Sequence, residues 1–410
     1  MSHTTGLARG AVTRVPGMRV LLSMSTLGFA SFGLLLPAAP LWAARGGADE
    51  AGAGLVNAVL MLATVVTQTM VPWALRRLGW RVVMVTGMPL LGLPALALTL
   101  TDQLPWVLAL SVVRGMGFAV LTVCGASAVA ELVDASRRGR AIGVYGLSIA
   151  APQFVLVPSA AWIAETFDFR TVFIAGAVPV LAVPFAAALG RRLDGMARGA
   201  SDGDGQAGGG ARVLLFLIVP TLGLLAVTTP GGALLTFAPQ FPYGTTTAML
   251  GLLGLTGTAA LARWLVGGLA DRYGPQRFIA PALLLCAVAL ALCAWSVADG
   301  GAGAAVLVAG MTLAGVSYGG LQNLTLVAAF AAVPTRDRGT ASAVWNIGFD
   351  VGTGLGALVV GFIAAGASFT VGLLTTAGLS VVVALVTLVY GRRTYAPADP
   401  SEKDTAARTH

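Results

Sequence analysis

The sequence predicts an all-α polytopic membrane protein with twelve transmembrane helices in two pseudo-symmetric six-helix bundles. Of its 410 residues, 57% are hydrophobic and only 10% are charged, whereas a soluble domain usually carries about 25% charged residues. Lipid must therefore solvate the outside of the molecule. The apolar residues fall into runs long enough to cross a bilayer, and the second half of the chain repeats the first.

The runs follow in order, separated by charges or turn residues. The first begins after Arg9, Arg14 and Arg19, and it is too long for a cleaved signal peptide, so it is predicted to remain as a helix. The predicted spans of the first half cover residues 18–43, 52–75, 81–101, 105–133, 140–164 and 170–190. Those of the second half cover 213–238, 246–270, 277–298, 303–333, 340–365 and 369–391.

These runs define four parts of the chain. The N-terminal bundle covers residues 1–190 and the C-terminal bundle covers 213–393. Between them, residues 191–212 contain the segment GASDGDGQAGGG, whose composition is typical of a flexible linker, here predicted to be cytoplasmic. The polar residues 394–410 are predicted to form a disordered cytoplasmic tail.

Charge asymmetry predicts the orientation in the membrane. With twelve spans both termini lie on one side, and that side receives 22 of the 25 lysines and arginines. The other side receives Arg45 and Arg170 with six acids. The positive-inside rule then places both termini in the cytoplasm and the chain in the cytoplasmic (inner) membrane. The acids are Asp49, Glu50, Asp102, Glu165, Asp168 and Asp299.

Several other classes of protein are excluded or disfavoured. The basic residues form short clusters between apolar runs, which argues against a nucleic-acid partner. Cys124, Cys286 and Cys293 lie inside apolar runs without metal-ligand spacing, so no metal or cofactor is expected. The chain has no nucleotide-binding GxxxxGK[ST] loop and no set of catalytic residues, so it is not expected to be an enzyme. The expected partners are lipid, protons and a small-molecule substrate, with the chain a monomer.

The two halves repeat one another. One register places SRRGRAIGVYG (136–146) on the segment that ends at 346, with Gly139 on Gly339 and Tyr145 on Trp345. A second, slightly different register places LRRLGWR (75–81) on the segment 270–277, with Gly79 on Gly274. Duplicated halves in a membrane protein are typical of transporters whose substrate site lies between the repeats.

At these residues the sequence resembles the major facilitator superfamily, and within it the bacterial drug and metabolite efflux permeases. The strongest match is GGLADRYGPQR, between the eighth and ninth spans, which is similar to the superfamily's cytoplasmic loop signature. The resemblance implies a gate that holds the cytoplasmic side closed. The gate residues of this loop are Gly267, Asp271, Arg272, Gly274 and Arg277.

The corresponding loop of the first half, PWALRRLGWR (72–81), departs from this signature. Pro72 replaces the first glycine and Arg76 replaces the acid. Because a basic residue cannot cap a helix N-terminus favourably, we expect Glu131 to pair with Arg77 or Arg81 instead.

Two charges lie deep inside predicted spans. Asp350 is about ten residues, or roughly 15 Å, into the eleventh span, and Arg114 lies in the middle of the fourth. Charged side chains at such depth are costly, so a functional role is the default hypothesis. Asp350 could carry a proton or could bond neighbouring backbone without titrating. Arg114 could hold an anion, tune a coupling acid or brace helix carbonyls.

Polar side chains in the spans are candidates for a substrate cavity. Asn57, Met61, Thr64 and Gln68 form one helical stripe, which could line a wet cavity or form helix–helix hydrogen bonds. Tyr318 and Gln322 form a similar pair on the tenth span, and Asn346 lies one turn from Asp350 on the same face. Tyr145 could contact substrate or anchor the helix at the membrane interface.

The sequence thus favours an alternating-access secondary transporter that exports a small amphipathic or drug-like compound in exchange for protons. Two alternatives stay open: an uptake symporter for a polar metabolite such as a sugar, and a membrane sensor or enzyme without flux.

Overall fold

The computed structural model describes residues 12–134, 137–199, 211–334 and 337–394, and no strand occurs in these ranges. The helices follow one another with short connections. They are α1 Met18–Arg45, α2 Glu50–Ala97, α3 Leu104–Leu132, α4 Arg138–Thr166, α5 Phe169–Gly176, α6 Val183–Gly199, α7 Ala211–Phe237, α8 Gly244–Tyr273, α9 Gln276–Val297, α10 Ala304–Ala331, α11 Arg338–Gly366 and α12 Phe369–Thr394.

Helix α2 makes two crossings of the bundle. The described chain contains 11 apolar helical segments of membrane-spanning length, and the segment Glu50–Leu100 has 51 residues, enough for two crossings. Leu60 and Leu91 would lie about 45 Å apart in a straight helix, yet they pack against Gly115 and Gly117 of α3. The chain therefore reverses between them, at the non-helical Gly79 (φ 81°, ψ 165°). This reversal yields the twelve predicted crossings.

The sixth crossing is broken in the middle. Helix α5 ends at Gly176, a 3-10 turn spans Val178–Ala182, and α6 then continues to Gly199. Pro179 and Pro184 lack the N–H groups that a continuous helix would need here. Because α6 extends beyond residue 190, the first part of the predicted linker is helical. Its last two residues, 211 and 212, begin α7. Linker residues 200–210, the N-terminal segment 1–11 and the tail residues 395–410 lie outside the described residues.

The internal repeat is visible in the packing. Gly79 and Gly274, which the repeat superposes, both have φ of +81° and both end a helical arm. Only glycine adopts this conformation readily. Gly115 packs against the carbonyl of Leu60 in the first half, and Gly315 packs against the carbonyl of Leu255 in the second. The halves therefore share turn geometry and close helix contacts.

The two ends of the bundle differ in charge, and we call them the basic face and the acidic face. The basic face is the end at which Gly17 contacts Arg192 and at which Gly79 lies. The acidic face is the end at which the Trp42 indole donates to the Thr101 carbonyl (2.9 Å). Acids at this face cap helices: Asp49 accepts from the Gly52 amide at the start of α2 (2.8 Å), where a negative charge is favourable.

Candidate functional site

The two halves meet tightly where the first arm of α2 (residues 50–78) lies against α11. Gly54 contacts the carbonyl of Ala357, and Gly361 contacts the backbone of both Glu50 and Gly54. No larger side chain would fit at Gly54, so the glycine allows backbone-to-backbone packing. This α2–α11 interface closes the acidic face.

A polar pair lies inside this closed region. The Asn57 amide, fully buried, donates to the Thr236 hydroxyl of the other half (2.9 Å) and to the Leu36 carbonyl (2.8 Å). Hydrogen bonds between helices in a membrane contribute about 0.6–2 kcal/mol each. Asn57 therefore stabilises the contact between the halves in this conformation.

The deepest side-chain contact between the halves joins Gln68 to Asp350. The Gln68 amide donates to Oδ2 of Asp350 (2.8 Å) and to the Thr122 hydroxyl (3.3 Å). Asp350 is only 6% exposed and lies about 18 Å from the start of α11. A carboxyl at this depth is thus held by an amide of the opposite half.

The halves separate immediately below this bond, towards the basic face. Asn346 lies one turn from Asp350 on the same side of α11, yet its side chain is exposed and donates only to the Ser342 carbonyl (2.8 Å). Nothing lies within 4 Å of a Cβ built at Gly143 or Gly146 of α4. The cleft between the halves therefore opens to the basic face and ends near Gln68 and Asp350.

A second interface, between α4 and α8, is the symmetry counterpart of the first. Near the acidic face the Thr245 hydroxyl donates to Oε2 of Glu165 (2.8 Å). Further in, the ring of Phe154 lies 3.2 Å from a Cβ built at Gly257. We call this the α4–α8 interface. It too holds the halves together at the acidic end.

The second half contains a polar cluster that sequence reasoning missed in part. An Arg263 guanidinium N–H donates to the Gln322 side-chain oxygen, and the Asn323 amide donates to the Arg263 carbonyl (3.0 Å). Tyr318 lies beside Arg263, Gln322 and Asp350, with its ring against Gly231 of α7. We call Arg263, Gln322 and Tyr318 the α8–α10 cluster.

The interpretation of Arg114 as the only base deep in a span is therefore wrong. Helix α8 continues to Tyr273, so Arg263 lies about 15 Å from its end. The signal was present in the sequence, since the register that superposes Gly79 on Gly274 also places Gln68 on Arg263. The predicted span 246–270 contains Arg263, yet the count of 22 basic residues on the cytoplasmic side includes it.

Arg114 itself is completely buried. Its exposed fraction is 0%, and none of its three side-chain nitrogens has a hydrogen-bond partner among the described residues. No described carboxylate forms an ion pair with it, so it does not contact Asp350. An unpaired guanidinium in such surroundings is costly and marks Arg114 as a site where charge compensation is incomplete.

The predicted polar stripe on α2 (residues 57, 61, 64 and 68) faces two different neighbours. Asn57, Met61 and Gln68 face the second half, where Met61 meets Gly354. Thr64 faces α3 and donates to the Gly115 carbonyl (3.1 Å). In this conformation Asn57, Met61 and Thr64 lie within helix contacts and not on the wall of the cleft.

The remaining aromatic candidates also have defined positions. Tyr145 is 7% exposed and packs against Gly125 of α3 inside the first half. Its repeat mate Trp345 stacks on Phe349 and donates to the Thr325 hydroxyl (3.1 Å). Both side chains are thus fixed by neighbours within their own half.

The gate loop of the first half uses an acid that the sequence analysis did not consider. Asp194 of α6 accepts from the Trp80 amide (2.7 Å) and the Arg81 amide (3.2 Å), and so caps the second arm of α2 directly after Gly79. The predicted pairing of Glu131 with Arg77 or Arg81 is absent from the described residues, where all three side chains are exposed.

The gate loop of the second half is described in part. Gly274 ends α8, the Arg272 guanidinium lies 5.2 Å from the ring centre of Tyr273, and Arg277 is exposed. Gly267 packs near the Asn323 amide, 3.5 Å from a built Cβ. Asp271, also predicted as a gate residue, has its side chain outside the described residues.

A sequence model of one protein family, described as Major Facilitator Superfamily, matches residues 21–299 and again 216–409. The chain belongs to the Major Facilitator Superfamily. The two overlapping matches together span nearly all of the chain. As a member of this superfamily it is a multi-pass membrane protein of a transporter family. No curated protein matches the sequence.

Solved structures of other superfamily-type transporters share the fold. A bacterial homologue of the human lysosomal transporter Spinster, in an inward-facing and unoccupied conformation, has a TM-score of 0.73 at 16% identity and covers 95% of this chain and 100% of its own. A peptide transporter in complex with sulfate has a TM-score of 0.75 at 16% identity, with 94% and 96% coverage. A D-xylose–proton symporter has a TM-score of 0.69 at 15% identity, with 90% and 97% coverage.

Proposed function

We propose that this superfamily member is a proton-coupled secondary transporter that works by alternating access, with Asp350 as its proton carrier. The observation that carries the proposal is the hydrogen bond from Gln68 to Asp350, which joins the halves at the closed end of the cleft. A bond to an ionised carboxylate is about twice as strong as a bond between neutral groups. Protonation of Asp350 would therefore weaken the link between the halves and favour their rearrangement.

The orientation proposed from charge puts the basic face on the cytoplasmic side of the inner membrane. The open cleft is then inward-facing, and the α2–α11 and α4–α8 interfaces form the outer gate. Opening of this gate requires loss of the bonds made by Asn57, Gln68 and Glu165. Substrate would enter the cleft, displace water and reach the α8–α10 cluster.

Two directions of transport are candidates for this site. Export of a small amphipathic or drug-like compound in exchange for protons agrees with the largely apolar helices around the cleft. Uptake of a polar metabolite together with protons is favoured by the α8–α10 cluster, which offers a guanidinium, an amide and a phenol at the end of the cleft. The two differ in whether substrate and protons move in opposite directions or together.

A flux assay tests the coupling. Purified full-length protein is reconstituted in liposomes, and a compound from a cellular accumulation screen is followed while a pH gradient is imposed. We expect gradient-driven flux with the wild type and loss of the gradient dependence in Asp350→Asn, because the amide cannot carry a proton.

The matched control is Asp134→Asn, the same chemical change at an exposed acid on the basic face. It should transport like the wild type. Gradient-driven flux that persists in Asp350→Asn would contradict the proposed role of this carboxyl. Absence of gradient-dependent flux for every compound in the screen would favour the sensor or enzyme alternative.

A further inference from the structure

The internal repeat relates one hydrogen-bonded pair of side chains in the first half to one hydrogen-bonded pair in the second half. The register that superposes Gly79 on Gly274 puts Gln68 on Arg263, and the register of the other repeat segment puts Thr122 on Gln322. In the structure the Gln68 amide donates to the Thr122 hydroxyl (3.3 Å), and the Arg263 guanidinium donates to the Gln322 side-chain oxygen. The sequence alignment of the halves therefore holds at the level of individual hydrogen bonds.

The two pairs differ in what lies across the interface. Gln68 makes a second bond to Asp350 of α11. The repeat places Asp350 on Ala150 of α4, so the symmetry mate of the acceptor is a methyl group. The bond between Glu165 and Thr245, with the ring contact deeper in the same interface, shows that α4 and α8 run antiparallel. Continued in this register, Ala150 comes level with residues 260–261 of α8, less than one turn from Arg263, and its methyl group offers no acceptor.

Arg263 therefore has unused donors at the closed end of the cleft. A guanidinium carries five N–H donors in a planar fork that fits a carboxylate, and one of them is bonded to Gln322. No carboxylate of the described chain forms an ion pair with Arg263, and its side chain is exposed.

The charges at this depth also favour an anion. Arg263 and Asp350 lie about 15 Å and about 18 Å from the basic ends of their helices, whereas the fully buried Arg114 lies about 12 Å nearer the acidic face than Thr122. The charges of Arg263 and Asp350 cancel while Asp350 is ionised. One positive charge remains when Asp350 binds a proton, and a single negative charge would neutralise it. A cationic compound would be repelled from the guanidinium in that protonated state.

We infer that the substrate of this carrier is a small organic monoanion, with a carboxylate held by Arg263 in the space that Ala150 leaves open. Gln322 positions the guanidinium and Tyr318 borders the same space. This inference rests on the proposed function, because it takes the cleft to be the transport path.

The inference also predicts whether proton binding at Asp350 strengthens or weakens substrate binding. The polar groups packed around Asp350 are Gln68 of α2, Tyr318 of α10 and, beyond Tyr318, Arg263 of α8, with Thr228 of α7 against the adjoining turn of α11. Neutralising Asp350 raises the local positive charge, so a proton and an anion favour each other's binding. Cooperative binding is the linkage of co-transport, which supports uptake with protons over exchange.

Binding to the purified full-length protein tests the inference without a gradient. Three probes share one ring and differ in charge: phenylacetate, phenylacetamide and phenethylamine. The shift in the midpoint of thermal unfolding reports their affinity. We expect stabilisation by phenylacetate alone, and tighter binding at lower pH within the range where the probe stays ionised. Asp350→Asn should remove that pH dependence.

Arg263→Gln, which installs the residue of the first half, should weaken phenylacetate binding at least about tenfold. Arg263→Lys should recover part of it. Arg140→Gln removes an exposed arginine from the basic face and should bind like the wild type. Equal binding of the three probes, or unchanged phenylacetate binding in Arg263→Gln, would overturn the inference. Gradient-driven flux of an uncharged compound would leave the proposed function intact in that case, so the two failures are distinguishable.

Discussion

The α2–α11 and α4–α8 interfaces are related by the internal repeat, yet they are built differently. The first brings glycine backbones together and crosses the cleft with the Gln68–Asp350 bond. Among the described residues the second has the Glu165–Thr245 bond near the acidic face, and the repeat places Ala150 where the first interface has the acceptor Asp350. The first interface is thus joined by a hydrogen bond between the halves, whereas the second leaves the Arg263 guanidinium available for a ligand.

The largest loss of transport is expected from a substitution at Gly54, where the α2–α11 interface leaves no space for a side chain. Gly54→Leu would place a side chain into the Ala357 carbonyl, so the acidic face could not close around it. We expect transport to fall more than about tenfold, since overpacking costs about 1–3 kcal/mol. Proteoliposome flux measures this. Gly366→Leu is the control, because nothing lies within 4 Å of a Cβ at Gly366, and a similar loss there would contradict the explanation.

A substitution in the second interface should make it resemble the first. Ala150→Asp supplies an acid within one turn of Arg263 and should pair with it, since an arginine–carboxylate pair forms strong charge-assisted hydrogen bonds. Phenylacetate binding should then be lost while the protein stays folded. Ala150→Asn, without the charge, should weaken binding less. Unchanged binding in Ala150→Asp would show that Arg263 and residue 150 do not face each other.

The caps at the basic face offer a smaller test. Asp194→Ala removes the cap at Trp80 and Arg81 and should lower the free energy of unfolding by about 1 kcal/mol. The midpoint of thermal unfolding in detergent detects this as a loss of a few degrees. Glu131→Gln should leave the midpoint unchanged, because Glu131 has no ion pair in the described chain. The reverse result would restore the pairing predicted from the sequence.

The smallest effect is expected at the outer end of the α4–α8 interface. Thr245→Val removes the hydroxyl that donates to Glu165 and keeps the shape of the side chain. We expect up to about 1 kcal/mol less stability for the closed acidic face. Accessibility of a cysteine introduced at that face would rise. Thr256→Val is the control, because its hydroxyl bonds only to backbone in its own helix.

Hydropathy and charge were sufficient to predict the crossings, because lipid imposes one length and one polarity on every span. The helices begin and end within a few residues of prediction, except where α6 continues past residue 190. The sequence also showed that Arg76 could not act as a cap. It did not show that Asp194 takes that role, because the two lie far apart in the chain and only folding brings them together.

The candidate site was predicted less completely for a similar reason. Asp350 and Gln68 stood out because each is polar in an apolar run, but nothing in one span indicates its partner in another. Arg263 lies in the last turns of the predicted span 246–270, close to the loop charges that follow, so charge counting assigns it to the basic side. Superposing the halves residue by residue would have placed it beside the cleft, since its mate Gln68 had already been selected.

The glycine contacts at the α2–α11 interface have a consequence for the speed of the transport cycle. Gly54 and Gly361 have no side chains, so the two helices contact each other there through backbone. No interlocking side chains have to move apart at these positions when one half rotates against the other. Rolling of this kind changes the contact area little. At this interface the barrier would then lie mainly in the polar bonds of Asn57 and Gln68, and these bonds, with the Glu165–Thr245 bond of the other interface, would set how often the gate opens.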